Sequence, residues 1–244
     1  MQKSIYQYIL YNKAKGRKLF SVLVDPDKFS SNIIREADRN KVDFIFIGGS
    51  RLKKDCFHRC VSKIKKLTKI PLVIFPGSGE QISQKADAIL LLSLISGRNP
   101  DYLIGEHIHA AQQLKKSKLE IVPTGYILIG GGKKISTQSV TRTTPIKNSD
   151  KNLVISTAIA GELLGMKMIY LEAGSGTKQP LNASLIKEVK KNISCPVITG
   201  GGINSSEKSI EFCKAGADMI VVGNAIEKDH SLVSKIANSI HSYK

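Results

Sequence analysis

Acidic residues are few in this 244-residue chain, cysteines fewer, and no apolar stretch runs long without interruption. Each shortage excludes something. No segment reaches the roughly 18 consecutive apolar residues that a membrane-spanning helix needs, and the opening MQKSIYQYILYNKAKGRKLF lacks the continuous apolar centre of a signal peptide, so a cytoplasmic protein is expected. Four cysteines, Cys56, Cys60, Cys195 and Cys213, are too few and too irregularly spaced for a disulfide framework, and reduced thiols are expected. With 20 acids against 37 bases the formal charge is +17, which raises the question of a nucleic-acid partner. The aromatics do not interleave with the bases as base stacking would require, and 30 of the 37 bases are lysines scattered along helix-like stretches. The excess reads as a solvated surface that steers small anions or meets acidic membrane lipid, with no nucleic acid bound. No GxGxxG follows the first strand-like run, where a dinucleotide fold would carry it.

What is present is 41% apolar residues and 20 glycines, enough for one large core and a single domain over residues 1–244. Eight short apolar runs stand out: 20–24, 44–47, 72–75, 89–92, 121–129, 168–171, 197–199 and 219–222. None alternates apolar and polar, so these are strands buried on both faces, as in a parallel sheet. Helix-like stretches such as SNIIREADRN, DCFHRCVSKIKKL and LNASLIKEVKKN separate most of them. This spacing predicts a modified TIM (β/α)8 barrel, with an open doubly wound sheet as the alternative. Between Pro76 and Ala88 the chain is marginal for a crossover helix, so the third helix is expected to be stunted or missing.

The runs end in VDPDK, IGGS, FPGSG, LLSLISGRNP, PTGYILIGGG, YLEAGSG, ITGGGI and VVGNAIE, and in a barrel these ends share one rim. Gly201, Gly202, Gly223 and Asn224, after the last two strands, suit a phosphate held by backbone N–H groups; a plain tight turn is the competing reading. Asp25 and Ser50 supply oxygen ligands of the kind that Mg²⁺ takes when a diphosphate holds most of it, although Asp25 could also be a turn residue before Pro26. Glu172 ends its run where a buried strand meets solvent, so its charge needs a partner. Cys56 and Cys60 with His58 between them suggest zinc only superficially, because a tetrahedral site needs further ligands. His107 and His109 face different ways on a helix, and all five histidines are expected to be structural or solvent-facing.

In order and across nearly the whole length, VDPDK, IGGS, FPGS, SGRNPDYLIG, PTGYILIGGG, YLEAGSG, GGGI and VVGN resemble the geranylgeranylglyceryl phosphate synthase family, a prenyltransferase barrel that includes PcrB-type enzymes. The resemblance implies a barrel without its third helix and Mg²⁺-dependent transfer of a geranylgeranyl group from its diphosphate to the 3-hydroxyl of sn-glycerol 1-phosphate. It puts the acceptor on Tyr170, Leu171, Glu172, Ala173, Gly174, Ser175 and Gly176, its phosphate on the four glycine-loop residues, and the metal on Asp25 and Ser50. Glu172 becomes the general base. Apart from the motif, Lys28 and Arg98 are candidate diphosphate partners, with ordinary rim charges as the competing reading. SLISGRNPDYLIG and PTGYILIGGGKKISTQSVTRTTPI look more like the archaeal and Bacteroidetes branch, implying a twenty-carbon donor; a heptaprenyl donor or a different phosphate-binding barrel isomerase or synthase is the alternative. Dimers or hexamers are implied, and possible peripheral membrane contact. Thr177-Lys178 and the acid-free Gly130-Gly131-Gly132 depart from the family pattern.

Overall fold

The computed structural model describes residues 4–50, 52, 56–130, 136–174, 177 and 180–243. Eight parallel strands close into a barrel in chain order: β1 (Leu19–Val24), β2 (Phe44–Ile47), β3 (Leu72–Ile74), β4 (Ala88–Ser93), β5 (Glu120–Leu128), β6 (Met168–Glu172), β7 (Val197–Gly200) and β8 (Met219–Val222). Every expected run became a strand, with ends displaced by a single residue at most. The helices are α1 (Ile5–Ala14), α2 (Ser31–Arg39), α3 (Phe57–Leu67), α4 (Glu106–Lys115), α5 (Ser136–Thr141), α6 (Lys151–Leu163), α7 (Ala183–Asn192), α8 (Ser206–Lys214), α9 (Asn224–Lys228) and α10 (Leu232–Ser242). Residues 75–87, all described, form no helix, as the short joint predicted.

Strand alternation sorts the side chains into two cores. Outward residues such as Phe20, Ile45, Ile169 and Leu171 pack under the helices, while Phe44, Phe46, Tyr126, Tyr170 and Met219 fill the barrel. Helix α1, which the sequence reading did not separate, closes the basal end: Ile5 and Ile9 join the inner cluster. Glu120 accepts from the N–H groups of Ile5 (2.6 Å) and Tyr6 (2.8 Å) and so satisfies donors that a helix start leaves open.

Three aspartates at that basal end repeat one device. Asp43, Asp87 and Asp218 immediately precede β2, β4 and β8, and each accepts an N–H from the start of the strand before, namely Phe20 (2.9 Å), Leu72 (2.7 Å) and Val197 (2.8 Å). Each also pairs with a cation: Arg17, Lys65 and Lys190 respectively. Register and closure are thereby pinned where the barrel carries no chemistry. Asp218→Ala leaves the Val197 N–H and the Lys190 ammonium without their partner, and is expected to cost about 3–5 kcal/mol. A shift in the urea midpoint at constant m would measure it; an unchanged midpoint would show the pair to be ornamental.

Candidate active site

At the carboxyl ends of the strands lies a cavity of about 1200 Å³, lined by Asp25, Ser50, Tyr170, Glu172, Gly201, Gly202, Gly223 and Asn224 among others. Glu172 is the last residue of β6, opposite Gly200 of β7 in register. The structure corrects the expectation that it meets solvent: it is only 7% exposed. Its Oε1 accepts from the Gly174 N–H at 2.7 Å, and the Tyr170 hydroxyl donates to the same carboxylate. Burial pushes the carboxyl up to about 7, against the opposing pull of those two donors. Burial and the neighbouring Glu172 charge raise Tyr170 well above the usual tyrosine range, so its hydroxyl keeps its proton and stays a donor.

The closeness of β6 and β7 here depends on glycine. A Cβ on Gly200 would stand 2.1 Å from the Tyr170 hydroxyl, and one on Gly201 would stand 2.4 Å from Glu172 Oε1 and 2.7 Å from the Gly174 nitrogen. Gly201 also has φ +83°, which side-chain-bearing residues rarely adopt. Gly200 pairs with Val221, so Gly201 and Gly202 after β7 and Gly223 after β8 sit at adjacent strand ends.

Asp25 caps the turn after β1, its Oδ1 accepting from the Asp27 N–H at 3.0 Å. The loop after β2 lies against it, since a Cβ on Gly49 would be 3.6 Å from Asp25 Oδ1. That loop is held from the helix-free segment, where the buried Gln81 accepts from the Gly49 N–H (3.3 Å) and donates to its carbonyl (2.9 Å). Asp25 and Ser50 thus share the cavity as hard oxygen donors, and among the described residues no three His, Cys, Asp or Glu side chains gather into an all-protein metal cage. This donor set suits Mg²⁺ that keeps waters and takes other ligands from a diphosphate. Lys28 also lines the cavity, with its ammonium 2.8 Å from Glu227 Oε2 and 3.6 Å from Asp25 Oδ2.

From the rim an apolar arm runs along the outside of the barrel wall, between β4 and α4, where Ile82, Ile89, Leu91, Ala110 and Leu114 line it beneath the helix-free segment. Phe75, Tyr126 and Tyr170 form its aromatic head, with Tyr170 centred 5.1 Å from Phe75 and 5.4 Å from Tyr126.

Of the residues expected at the site, Leu171 and Ala173 belong to the outer core, and only their backbone is available to an acceptor. Ser175 and Gly176 lie outside the described residues, as do Gly131, Gly132 and Lys178. Arg98 is exposed, does not line the cavity, and donates to the Gly97 carbonyl at 2.7 Å, so the structure does not bring it to the rim. His107 lines the cavity, with its Nε2 2.8 Å from the Leu92 carbonyl oxygen. Cys56 and Cys60 both direct their thiols at the Pro26 carbonyl. The sequence reading missed Gly200, Phe75 and Tyr126. Tyr126 stood in the quoted PTGYILIGGG, and its direct pairing with Tyr170 across β5 and β6 is the signal that a register would have supplied.

A family model described as the PcrB family matches residues 12–240. The chain belongs to the PcrB family. Among its relatives, a geranylgeranylglyceryl phosphate synthase of Chitinophaga pinensis is 46% identical, covering 99% of this chain and 98% of that protein. The Pyrococcus horikoshii protein of the same name is 38% identical over 91% of this chain and 89% of its own length. In structure, this PcrB-family barrel is similar to (S)-3-O-geranylgeranylglyceryl phosphate synthase from Thermoplasma acidophilum in complex with sn-glycerol-1-phosphate. The TM-score is 0.92 at 30% identity, covering 99% of this chain and all of that one.

Proposed function

We propose that the chain is a geranylgeranylglyceryl phosphate synthase, a prenyltransferase that joins a geranylgeranyl group to the 3-hydroxyl of sn-glycerol 1-phosphate. The observation that carries this reading is Glu172: a buried carboxyl with a pKa of about 7, between a tyrosine hydroxyl and a glycine-lined turn, at the head of an apolar arm. Relatives of the same name cover nearly the full chain.

In this reading the acceptor's phosphate lies on the backbone of Gly201, Gly202, Gly223 and Asn224, where N–H groups can approach an anion. The glycerol lies against Tyr170 and Gly174 with its 3-hydroxyl at Glu172. The prenyl tail occupies the arm beneath residues 75–87, which excludes water from the reacting carbon. The ether bond forms between that allylic carbon and the glycerol oxygen, the carbon's bond to diphosphate oxygen breaks, and the hydroxyl proton passes to Glu172. Mg²⁺, held by Asp25 and Ser50, would supply charge stabilisation for the leaving diphosphate. Lys28 lines the same wall and, once freed from Glu227, would meet the diphosphate.

Asp25→Asn keeps the Asp27 cap but removes a charge, and is expected to raise the Mg²⁺ concentration at half-maximal rate about tenfold, or ~1.4 kcal/mol. An unchanged metal titration would remove Asp25 from the role. A series of donors of increasing length tests the twenty-carbon choice, and a preference for a heptaprenyl donor would overturn it. Mg²⁺-dependent consumption of any isoprenoid diphosphate separates both from a phosphate-binding isomerase. The same reading includes a cytoplasmic homo-oligomer. The four cysteines are free, and among the described residues no helix is long and apolar enough to cross a membrane.

A further inference from the structure

Residues 75–87 form no helix, yet they are anchored on two sides. Gly79 donates its N–H to Glu106 at the start of α4, and Gln81 bonds to Gly49 in the loop after β2. The segment therefore bridges the wall of the apolar arm and the loop that carries Ser50. Where it meets that loop the contact is backbone on backbone. A Cβ on Gly77 would stand 2.0 Å from the Gly49 carbonyl oxygen and 2.8 Å from the Ser50 Cα, and one on Gly48 would stand 1.8 Å from the Phe75 carbonyl oxygen. Neither strip can shift far without displacing the other.

Gln81 is the polar clamp on this contact. Its side chain is buried, and its amide accepts the Gly49 N–H at 3.3 Å while donating to the Gly49 carbonyl at 2.9 Å. Among uncharged side chains of this length, only an amide offers a donor and an acceptor side by side. Gly49 itself is half-buried, so water can take over its two bonds if the amide is removed. Loss of Gln81 should therefore loosen the loop without unfolding the barrel. Ile82, the next residue, is buried and lines the arm. One dipeptide thus touches both the place proposed for the prenyl tail and the loop proposed for the metal.

We infer that Gln81 is a positioning residue for the metal and the diphosphate, acting through the loop it holds. By clamping Gly49 it keeps that loop against Asp25 and the Ser50 oxygen on the wall that Asp25 shares. The inference rests on the prenyl-transfer reading above and on its assignment of Mg²⁺ to Asp25 and Ser50. The acceptor's side is separate from this clamp. Among the described residues, the hydrogen bonds of Gln81 run to Gly49 and Ser78 and to nothing in the loops after β6, β7 and β8. The two substrates should therefore respond differently to its loss.

Calorimetry on the full chain tests this without turnover, because each ligand is titrated alone. Gln81→Leu is expected to weaken geranylgeranyl diphosphate in the presence of Mg²⁺ about tenfold, while sn-glycerol 1-phosphate stays within about twofold of the wild type and circular dichroism is unchanged. The same loss is expected for inorganic pyrophosphate with Mg²⁺, which has no tail. Should leucine prevent folding, Gln81→Glu keeps the acceptor for the Gly49 N–H and loses the donor, and a smaller loss of the same pattern is expected. Unchanged affinities, or a loss shared equally by glycerol phosphate, would mark a merely structural side chain and overturn the inference alone. A loss confined to the prenyl ligand would place the action of Gln81 in the arm and overturn its assignment to the metal loop. A wild type that binds neither diphosphate overturns the functional reading and the inference together, a result visible before any variant is made.

Discussion

Glu172→Gln is expected to lower turnover by about 10²–10⁴-fold while leaving the fold intact and, above neutral pH, more stable than the wild type. Glutamine has the same shape and can still accept the Gly174 N–H, but it cannot take the acceptor's proton. The stability gain follows from the carboxyl's pKa of about 7, raised by burial from the ordinary 4.5. A carboxyl raised on folding contributes its full stability below the unfolded value and loses it as pH climbs through the folded one. Above pH 7 the native protein therefore holds a buried carboxylate at a cost of roughly 3 kcal/mol, which glutamine does not incur. For the same reason kcat/KM in the wild type should rise with unit slope up to about pH 7 and then level, because the base works only when deprotonated. Turnover at several pH values, paired with urea midpoints at pH 5 and pH 8, checks both. A variant that is fully active, or one whose midpoint relative to wild type does not move between those pH values, would refute the buried-base assignment.

Much of this architecture could be read from the residues because a parallel barrel buries both faces of each strand, and that condition writes strands as unbroken apolar runs. The same condition hides which face a residue takes. YLEAGSG looks like one contiguous site, yet the two-residue period of β6 turns Tyr170 and Glu172 to the cavity and Leu171 to the helices. Glu172 was legible as a functional acid but not as a buried one, since its enclosure comes from Tyr170, Gly200 and Gly201, and the last two belong to β7 and the loop after it. Arg98 is beside the rim in sequence and outside it in space. Helix α1 escaped notice because it commits only Ile5, Ile9 and Asn12 to burial, too few to mark an amphipathic stripe. The missing third helix was legible for the opposite reason: chain length is a steric limit, and 75–87 is marginal for a crossover helix.

Gly201→Ala is expected to cost about 10²-fold in kcat/KM, though the change adds one methyl group and touches no ionisable atom. Two independent penalties meet at this position. At φ +83° an alanine is strained by about 1–3 kcal/mol, so the loop after β7 would relax away from its present course. If it does not relax, the new methyl lies 2.4 Å from Glu172 Oε1 and within 3 Å of the Gly174 and Ala173 nitrogens, two of which are backbone and cannot rotate aside. Either way the carboxylate is displaced from the Gly174 N–H that orients it, and the loop that would hold the acceptor's phosphate moves with it. The defect should therefore appear in both KM for glycerol phosphate and kcat, whereas Glu172→Gln should leave KM nearly unchanged. A Gly201→Ala variant with wild-type constants would show that β6 and β7 do not form one site, and the base and the phosphate loop would have to be assigned separately.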